Sequence, residues 1–175
     1  MNKNKTVLSV IPGRHRFGYA VFCQNILTYY GIACLSNFKT KVEVNKALER
    51  FLSKTVSQFQ IKQIAIRKVT KAQAQSILLD DLVENLKTIC QRQKVKVLSY
   101  HHHQINQPFC NKNERPNKEK TAITLTAKYP ELKRFRSVKK DWQKRYYASL
   151  FQAIALGLVC LSEINNQESR KQNRK

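Results

Sequence analysis

Residues 6–22 read TVLSVIPGRHRFGYAVF, and this stretch decides the expected fold. An apolar strand-like run leads into Pro12 and Gly13, a basic cluster follows, and a second strand-like run begins at Phe17. Two β-rich runs joined by a Pro-Gly turn predict an antiparallel hairpin. The first carboxylate of the chain is that of Glu43, so the hairpin carries cations and no acidic side chain.

The elements that follow the hairpin predict a mixed sheet. Further strands are predicted over residues 26–34, 63–69 and 95–100, and helices over 44–59, 77–89, 117–132 and 142–164. Residues 101–116 are polar, with Pro and Asn turn signals, and are expected to form a loop. Three consecutive strands favour an antiparallel meander, and the later helical crossovers favour parallel pairing. The sequence therefore predicts an α/β fold, a mixed five-stranded sheet flanked by helices.

Size and charge indicate one domain with a polyanionic partner. Residues 1–164 are expected to form a single domain, and residues 165–175 a basic, flexible tail. The chain holds 33 Lys and Arg residues against 11 Asp and Glu residues, for a formal charge of +22. Such a surplus repels itself unless a polyanion offsets it, and nucleic acid is the leading candidate.

The cysteines and apolar runs bear on the cellular compartment. Five cysteines without metal or disulfide spacing are typical of a reducing environment. The apolar run of residues 153–161 is far shorter than a membrane span, and the first ten residues are not typical of a signal peptide. We expect a soluble cytoplasmic protein without a membrane partner, with a nucleoid or organellar interior as variants of that expectation.

Four stretches in order resemble a known family. They are VLSVIPGRHRFGYAVF (7–22), IKQIAIRKVT (61–70), NKEKTAITLTAKYPEL (117–132) and SLFQAIALGLVC (149–160). The first resembles the opening hairpin of the RuvC-type Holliday-junction resolvases, the second their fourth strand, the third the helix after their fifth strand, and the last their final helix. The resemblance covers roughly residues 6–164 and implies the ribonuclease-H-like fold.

The acidic positions of that family are occupied by other residue types. The resemblance puts Ile11, Arg67, Ser149 and Gln152 where carboxylates would stand. Resolvases of this kind use divalent cations, which take hard oxygen ligands and need carboxylates to neutralise them. An aliphatic group, a guanidinium, a hydroxyl and an amide cannot form that set. The sequence disfavours a nuclease of this mechanism, and no metal or other cofactor is expected.

Basic residues near the same positions suggest direct phosphate binding. We hypothesise that Arg14, Arg16, Arg67 and Lys68 contact phosphate, because an Arg fork binds phosphate oxygens bidentately. Gly13 would let the backbone approach an anion closely. The alternative is that Arg67 extends to solvent from the end of a strand.

A second basic region lies in residues 112–145. The candidate nucleic-acid contacts there are Lys118, Lys120, Arg134, Arg136, Lys139, Lys140, Lys144 and Arg145. Tyr129, Phe135, Trp142, Tyr146 and Tyr147 are interleaved with them. Cations alternating with aromatic rings are typical of a groove that binds a strand, but we expect these rings to belong to the core rather than to stack on bases. The alternative is a solvated basic face.

Two further clusters contain residue types that bind metals. Consecutive histidines at 101–103 place at most two imidazoles on one face of an extended segment, which is too few for a zinc site. A relocated acidic site built from Glu119 and Asp141 has no supporting motif.

The expected function is therefore non-catalytic binding of nucleic acid, with branched or structured DNA first and RNA second. A metal-dependent endonuclease with relocated ligands and a basic structural subunit of a nucleoprotein complex remain alternatives. Because resolvases of this type work as dimers, the resemblance also allows a homodimer.

Overall fold

A mixed β-sheet organises the chain. The computed structural model describes residues 5–13, 15–69, 77–111 and 113–172, with the backbone alone for 77–81 and 171. The strands in these residues are β1 (Thr6–Pro12), β2 (Arg16–Cys23), β3 (Ile26–Cys34), β4 (Gln63–Arg67) and β5 (Lys96–Tyr100). They form one five-stranded sheet in the order β3-β2-β1-β4-β5. β2 pairs antiparallel with both β1 and β3, whereas β4 pairs parallel with β1 and with β5. The predicted mixed sheet is therefore confirmed.

Helices cover both faces of this sheet. In the described residues they are α1 (Lys41–Phe59), α2 (Ile77–Arg92), α3 (His102–Asn106), α4 (Lys118–Lys128), α5 (Lys133–Arg136) and α6 (Asp141–Gln172), with 3-10 turns at Gln107–Phe109 and Pro130–Leu132. α1 begins with a capping box in which the Thr40 hydroxyl accepts from the amide of Glu43 and the Glu43 carboxylate accepts from that of Thr40. The predicted cap of α4 is also present, since the Asn117 side chain accepts from the amide of Glu119 at 2.8 Å.

Two segments differ in secondary structure from the sequence-based expectations. Residues 101–116 were predicted to form a loop, but they contain α3 and a 3-10 turn, which bury Ile105 and the side chain of Asn106. Residues 165–175 were predicted to form a flexible tail; α6 extends through this segment to Gln172, and residues 173–175 lie outside the described residues. The Lys5 ammonium lies 2.5 Å from the Glu168 carboxylate and donates to Asn165 at 2.7 Å, which ties this extension to the start of β1.

β1 separates two hydrophobic cores because its side chains alternate between the faces of the sheet. Val7 and Ile11 lie in the core beneath α6, whereas Leu8 and Val10 lie in the core beneath α1 and α2. By length and composition alone, α6 contains a segment that could cross a membrane, but more than half of that segment is buried within the protein. The packing of α6 over β1 and β2 is that of a core helix.

A glycine in β2 fixes the position of α6. Gly18 pairs with Ile11 across the hairpin, and a Cβ atom at Gly18 would lie 2.2 Å from the carbonyl oxygen of Ser149. Only a residue without a side chain allows this approach, so the helix backbone rests directly on the strand. The contact brings Ser149 beside the end of β1.

Candidate nucleic-acid interface

A cavity opens where β1 and β4 end. The two strands are parallel, and Val10 pairs with Ile66, so Ile11 and Arg67 reach the same edge of the sheet. We call this space, of about 270 Å³, the central cavity. It is lined by Ile11, Pro12, Gly13, His15, Arg16, Arg67, Lys118, Arg145, Ala148, Ser149 and Gln152.

Arg67 holds a fixed orientation in the central cavity. Its Nη2 donates to the carbonyl oxygen of Pro12 at 3.0 Å. Its Nε is buried and has no hydrogen-bond partner in the part of the chain that the structure describes. Burial lowers the pKa of Arg67 from its usual value, but a guanidinium remains cationic in proteins. Arg67 is therefore a half-buried cation that lines the cavity, rather than a side chain that extends to solvent.

Three more cations reach the central cavity from separate elements. Lys118 is the first residue of α4, and its pKa is lowered by desolvation first and by the charge of Arg67 second. Arg145 projects from α6, and Arg16 begins β2, where its guanidinium lies 4.8 Å from the ring centroid of Tyr146. No carboxylate lines this cavity among the described residues. The site is therefore cationic without an internal counter-ion.

The floor of the central cavity is held by a buried amide network. The side chains of Gln152 and Asn106 exchange two hydrogen bonds, of 2.9 and 2.6 Å. Oδ1 of Asn106 accepts one of these bonds and also accepts from the Thr121 hydroxyl at 2.9 Å. Nδ2 of Asn106 donates to the carbonyl of His102 at 3.0 Å. These bonds join α3, α4 and α6 beneath the cations. Sequence reasoning missed the network because its members are distant in the chain.

Two further cavities continue from the central one. The first, of about 630 Å³, lies beside the hairpin and shares Gly13, His15 and Arg16 with it. The second, of about 410 Å³, lies beside α4 and α6 and shares Lys118 and Ala148. We call the three cavities together the basic groove. The shared residues show that the three cavities are neighbours.

The predicted contact residues divide into two groups. Arg16, Arg67, Lys118 and Arg145 meet in the central cavity, and Arg136 and Lys144 line the α4–α6 cavity. Lys68 lines a separate cavity that borders Arg67, with its ammonium 3.4 Å from Nε2 of His101. Arg14 lies outside the described residues.

The other predicted contacts do not line the groove. Lys120 pairs with Glu114 at 2.5 Å, and the guanidinium of Arg134 lies 4.6 Å from the ring centroid of Phe135. Lys139 and Lys140 are exposed just before α6. The sequence identified these cations, but only the fold separates them from the groove.

The aromatic residues of the basic region behave in two ways. Phe135 and Tyr147 pack against the core beneath α6, as expected, with ring centroids 5.0 Å apart. Tyr146 is half-buried and lines the hairpin-side cavity. Trp142 is 57% exposed, so the expectation that it belongs to the core was wrong.

The sheet order and the flanking helices form a ribonuclease-H-like α/β fold. No family model and no curated protein matches the chain. Among solved structures it is similar to Thermus thermophilus RuvC, at a TM-score of 0.65 and 13% identity over 88% of this chain and 92% of that one. It is also similar to the yeast mitochondrial Holliday junction resolvase, at a TM-score of 0.66 and 11% identity over 89% and 77% of the chains.

Two similar structures contain DNA. One is Thermus thermophilus RuvC with a Holliday junction substrate, at a TM-score of 0.65 and 14% identity over 89% of this chain and 91% of that one. The other is fowlpox virus resolvase with Holliday junction DNA, at a TM-score of 0.55 and 16% identity over 91% and 98%. At such identities the likeness establishes the fold alone.

The residues of the central cavity do not fit the divalent cations that this fold family implies. Ile11 is a buried aliphatic side chain, Gln152 is engaged by Asn106, and Arg67 would repel a metal ion. In the described residues no group of three or more His, Cys, Asp or Glu side chains could hold a metal. The cavity is suited to an anion instead.

Proposed function

We propose that this protein binds nucleic acid in the basic groove without cleaving it, and that branched DNA is its preferred form. The observation that carries the proposal is the central cavity, where Arg16, Arg67, Lys118 and Arg145 converge and no carboxylate of the described residues joins them. Four cations at the end of a central strand favour a phosphate group in the cavity.

The electrostatics of the cavity support an anionic ligand. Desolvation first and the charge of Arg67 second lower the pKa of Lys118, so the two cations disfavour each other in the free protein. A phosphate between them would remove this repulsion and would accept hydrogen bonds from both cations. Charge-assisted hydrogen bonds of this kind are about twice as strong as neutral ones.

The size of the basic groove supports a polymer rather than a small anion. Lys39 and Lys41 line the cavity beside the hairpin, and Arg136 and Lys144 line the α4–α6 cavity, where Glu119 lies 3.9 Å from Arg136. The formal charge of +22 also favours a polyanion. Two proteins of similar fold are described as complexes with Holliday junction DNA, which makes a junction the first ligand to test.

The proposal is tested with a labelled four-way DNA junction. Purified protein is incubated with the junction, excess unlabelled duplex and Mg²⁺ or Mn²⁺, and each sample is divided between a native and a denaturing gel. We expect a retained, uncut junction that resists the duplex competitor. Arg67→Gln should weaken retention, whereas Lys54→Gln, an exposed residue on α1, should not.

Other outcomes of the same experiment would refute parts of the proposal. Discrete metal-dependent cuts would mean that the protein is a nuclease with ligands outside the central cavity. Loss of the junction to competitor would refute the preference for branched DNA, and repetition with structured RNA would then test the second expected ligand. Light scattering on the same preparation would test the dimer that the resemblance allows.

A further inference from the structure

Trp142 is exposed in a region where the neighbouring aromatic rings are packed. It lies in the first turn of α6, is 57% exposed, and is the only tryptophan of the chain. Within the described residues no ring contact or hydrogen bond involves its indole, whereas Tyr146 and Tyr147 contact each other with centroids 5.1 Å apart. The exposed indole therefore leaves a large apolar face open to a ligand or partner.

The residues around Trp142 indicate what that ligand is. Lys139, Lys140, Lys144 and Arg145 all lie within three positions of it, and the nearest acid, Asp141, is 3.6 Å from Lys144. The cores of protein–protein interfaces are depleted of charged residues, so this setting does not favour a protein partner. An aromatic ring among cations is the arrangement that binds bases and phosphates of a single strand.

The helix aligns Trp142 with the central cavity. Residues 142, 145, 149 and 152 are spaced by three or four positions and lie along one side of α6. Arg145, Ser149 and Gln152 line the central cavity. At 1.5 Å per residue, Trp142 precedes Arg145 by about 4.5 Å along the helix axis and Ser149 by about 10 Å. These distances correspond to one or a few nucleotides of a strand, since stacked bases repeat at about 3.4 Å.

We infer that Trp142 stacks on an unpaired nucleobase of a strand whose phosphate lies in the central cavity. This inference rests on the proposed function and specifies its ligand. Every base within a continuous duplex is already stacked on both sides, so an indole reaches a base only at a branch point, a strand end or a single-stranded segment. Trp142 would therefore contribute to the preference for branched over continuous DNA.

Tryptophan fluorescence tests this contact directly because the signal comes from Trp142 alone. Emission is followed while the protein is titrated with a single-stranded oligodeoxynucleotide, with the four-way junction, and with inorganic polyphosphate, which has charge but no bases. We expect both nucleic acids to quench the emission and saturating polyphosphate to leave it nearly unchanged.

Substitutions separate stacking from charge. Trp142→Ala should weaken binding of the single strand roughly 5- to 150-fold, the equivalent of about 1–3 kcal/mol for one stacked base, without changing the dependence on salt. Trp142→Phe retains a ring and should bind within a few-fold of the wild type. Arg145→Gln should instead lower the salt dependence and keep the quenching. Circular dichroism of each variant checks that the fold is retained.

Four results would overturn the inference. The stacking contact is refuted if nucleic acid binds and Arg67→Gln weakens that binding but Trp142→Ala does not. In that case the proposed function stands. Equal quenching by polyphosphate would show that charge alone changes the emission. A concentration-dependent emission change without nucleic acid would show that a second copy covers Trp142. If neither nucleic acid binds at all, the proposed function fails together with the inference.

Discussion

Neutralising the central cavity should change how binding responds to salt. The perturbation is a quadruple variant in which Arg16, Arg67, Lys118 and Arg145 become Gln. Each phosphate contact contributes about 0.9 to the slope of log affinity against log salt for duplex DNA. The proposed function places one phosphate in the central cavity, so the loss of all four cations should reduce the slope by about 0.9. Between 50 and 200 mM salt, the affinity of the quadruple variant should therefore fall roughly 3.5-fold less than that of the wild type.

The chain offers a control with the same loss of charge. Lys54, Lys62, Lys94 and Lys96 are exposed, and none of them lines the basic groove. Lys62 and Lys96 lie at the N-terminal ends of β4 and β5, away from the central cavity. The amide of Lys96 donates to the carbonyl of Lys62 there at 3.1 Å. Replacing these four lysines by Gln lowers the formal charge of +22 by the same amount and should leave most of the slope intact.

Fluorescence anisotropy of a labelled junction over a series of salt concentrations measures both slopes. The reasoning would be refuted if the two quadruple variants reduced the slope equally, because binding would then depend on net charge rather than on the central cavity. It would also be refuted if the slope of the central-cavity variant equalled that of the wild type.

Three further predictions concern the elements that support the central cavity. Gly18→Ala should lower the free energy of unfolding in urea by about 1–3 kcal/mol, because its Cβ meets the Ser149 carbonyl at 2.2 Å and the helix must move; an unchanged stability would contradict the close contact. Gln152→Leu should lower the free energy of unfolding by about 1–3 kcal/mol, since it removes both side-chain hydrogen bonds to the buried Asn106. The double variant with Asn106→Leu should lose less stability than the sum of the two single variants. The pKa of His102 is lowered by burial and then by neighbouring cations, so the unfolded chain binds the proton more readily. The free energy of unfolding should therefore fall as the pH drops through the ordinary histidine value near 6.5, and level off below the folded-state pKa. His102→Gln should remove this component from urea titrations at several pH values, and an unaltered profile would exclude His102 as its source.

The sequence predicted the sheet well because its signals are local. Each strand is a short β-rich run, and the Pro-Gly turn places the first two strands in one hairpin. Hydrophobic periodicity located the core helices, and Asn117 marked the start of α4. These features depend on neighbours in the chain, so they are readable without the fold.

The errors arose where long-range contacts determine the structure. α3 has a polar sequence, HHQIN, and its burial depends on bonds from Asn106 to Thr121 and Gln152. The polar end of α6 contacts Lys5, which lies at the other end of the described chain. No pattern within either segment indicates these partners.

The candidate site was predicted in part. The sequence indicated that cations replace acids near the end of β1, and it named all four cations of the central cavity. It could not separate them from Lys120 or Arg134, whose charges are directed elsewhere. The exposure of Trp142 was also hidden, because helical spacing shows which residues share a side but not how far that side extends beyond the core.

The guanidinium of Arg67, held in the central cavity by its hydrogen bond to the Pro12 carbonyl, affects how binding should depend on divalent cations. The positive charge of a guanidinium is part of the protein, so a chelator cannot remove it. The charge of the site also does not depend on the magnesium concentration. Free Mg²⁺ would instead compete with the protein for the phosphates. Binding of nucleic acid should thus persist in EDTA and weaken as millimolar magnesium is added. A site that binds phosphate through a metal ion would show the opposite dependence.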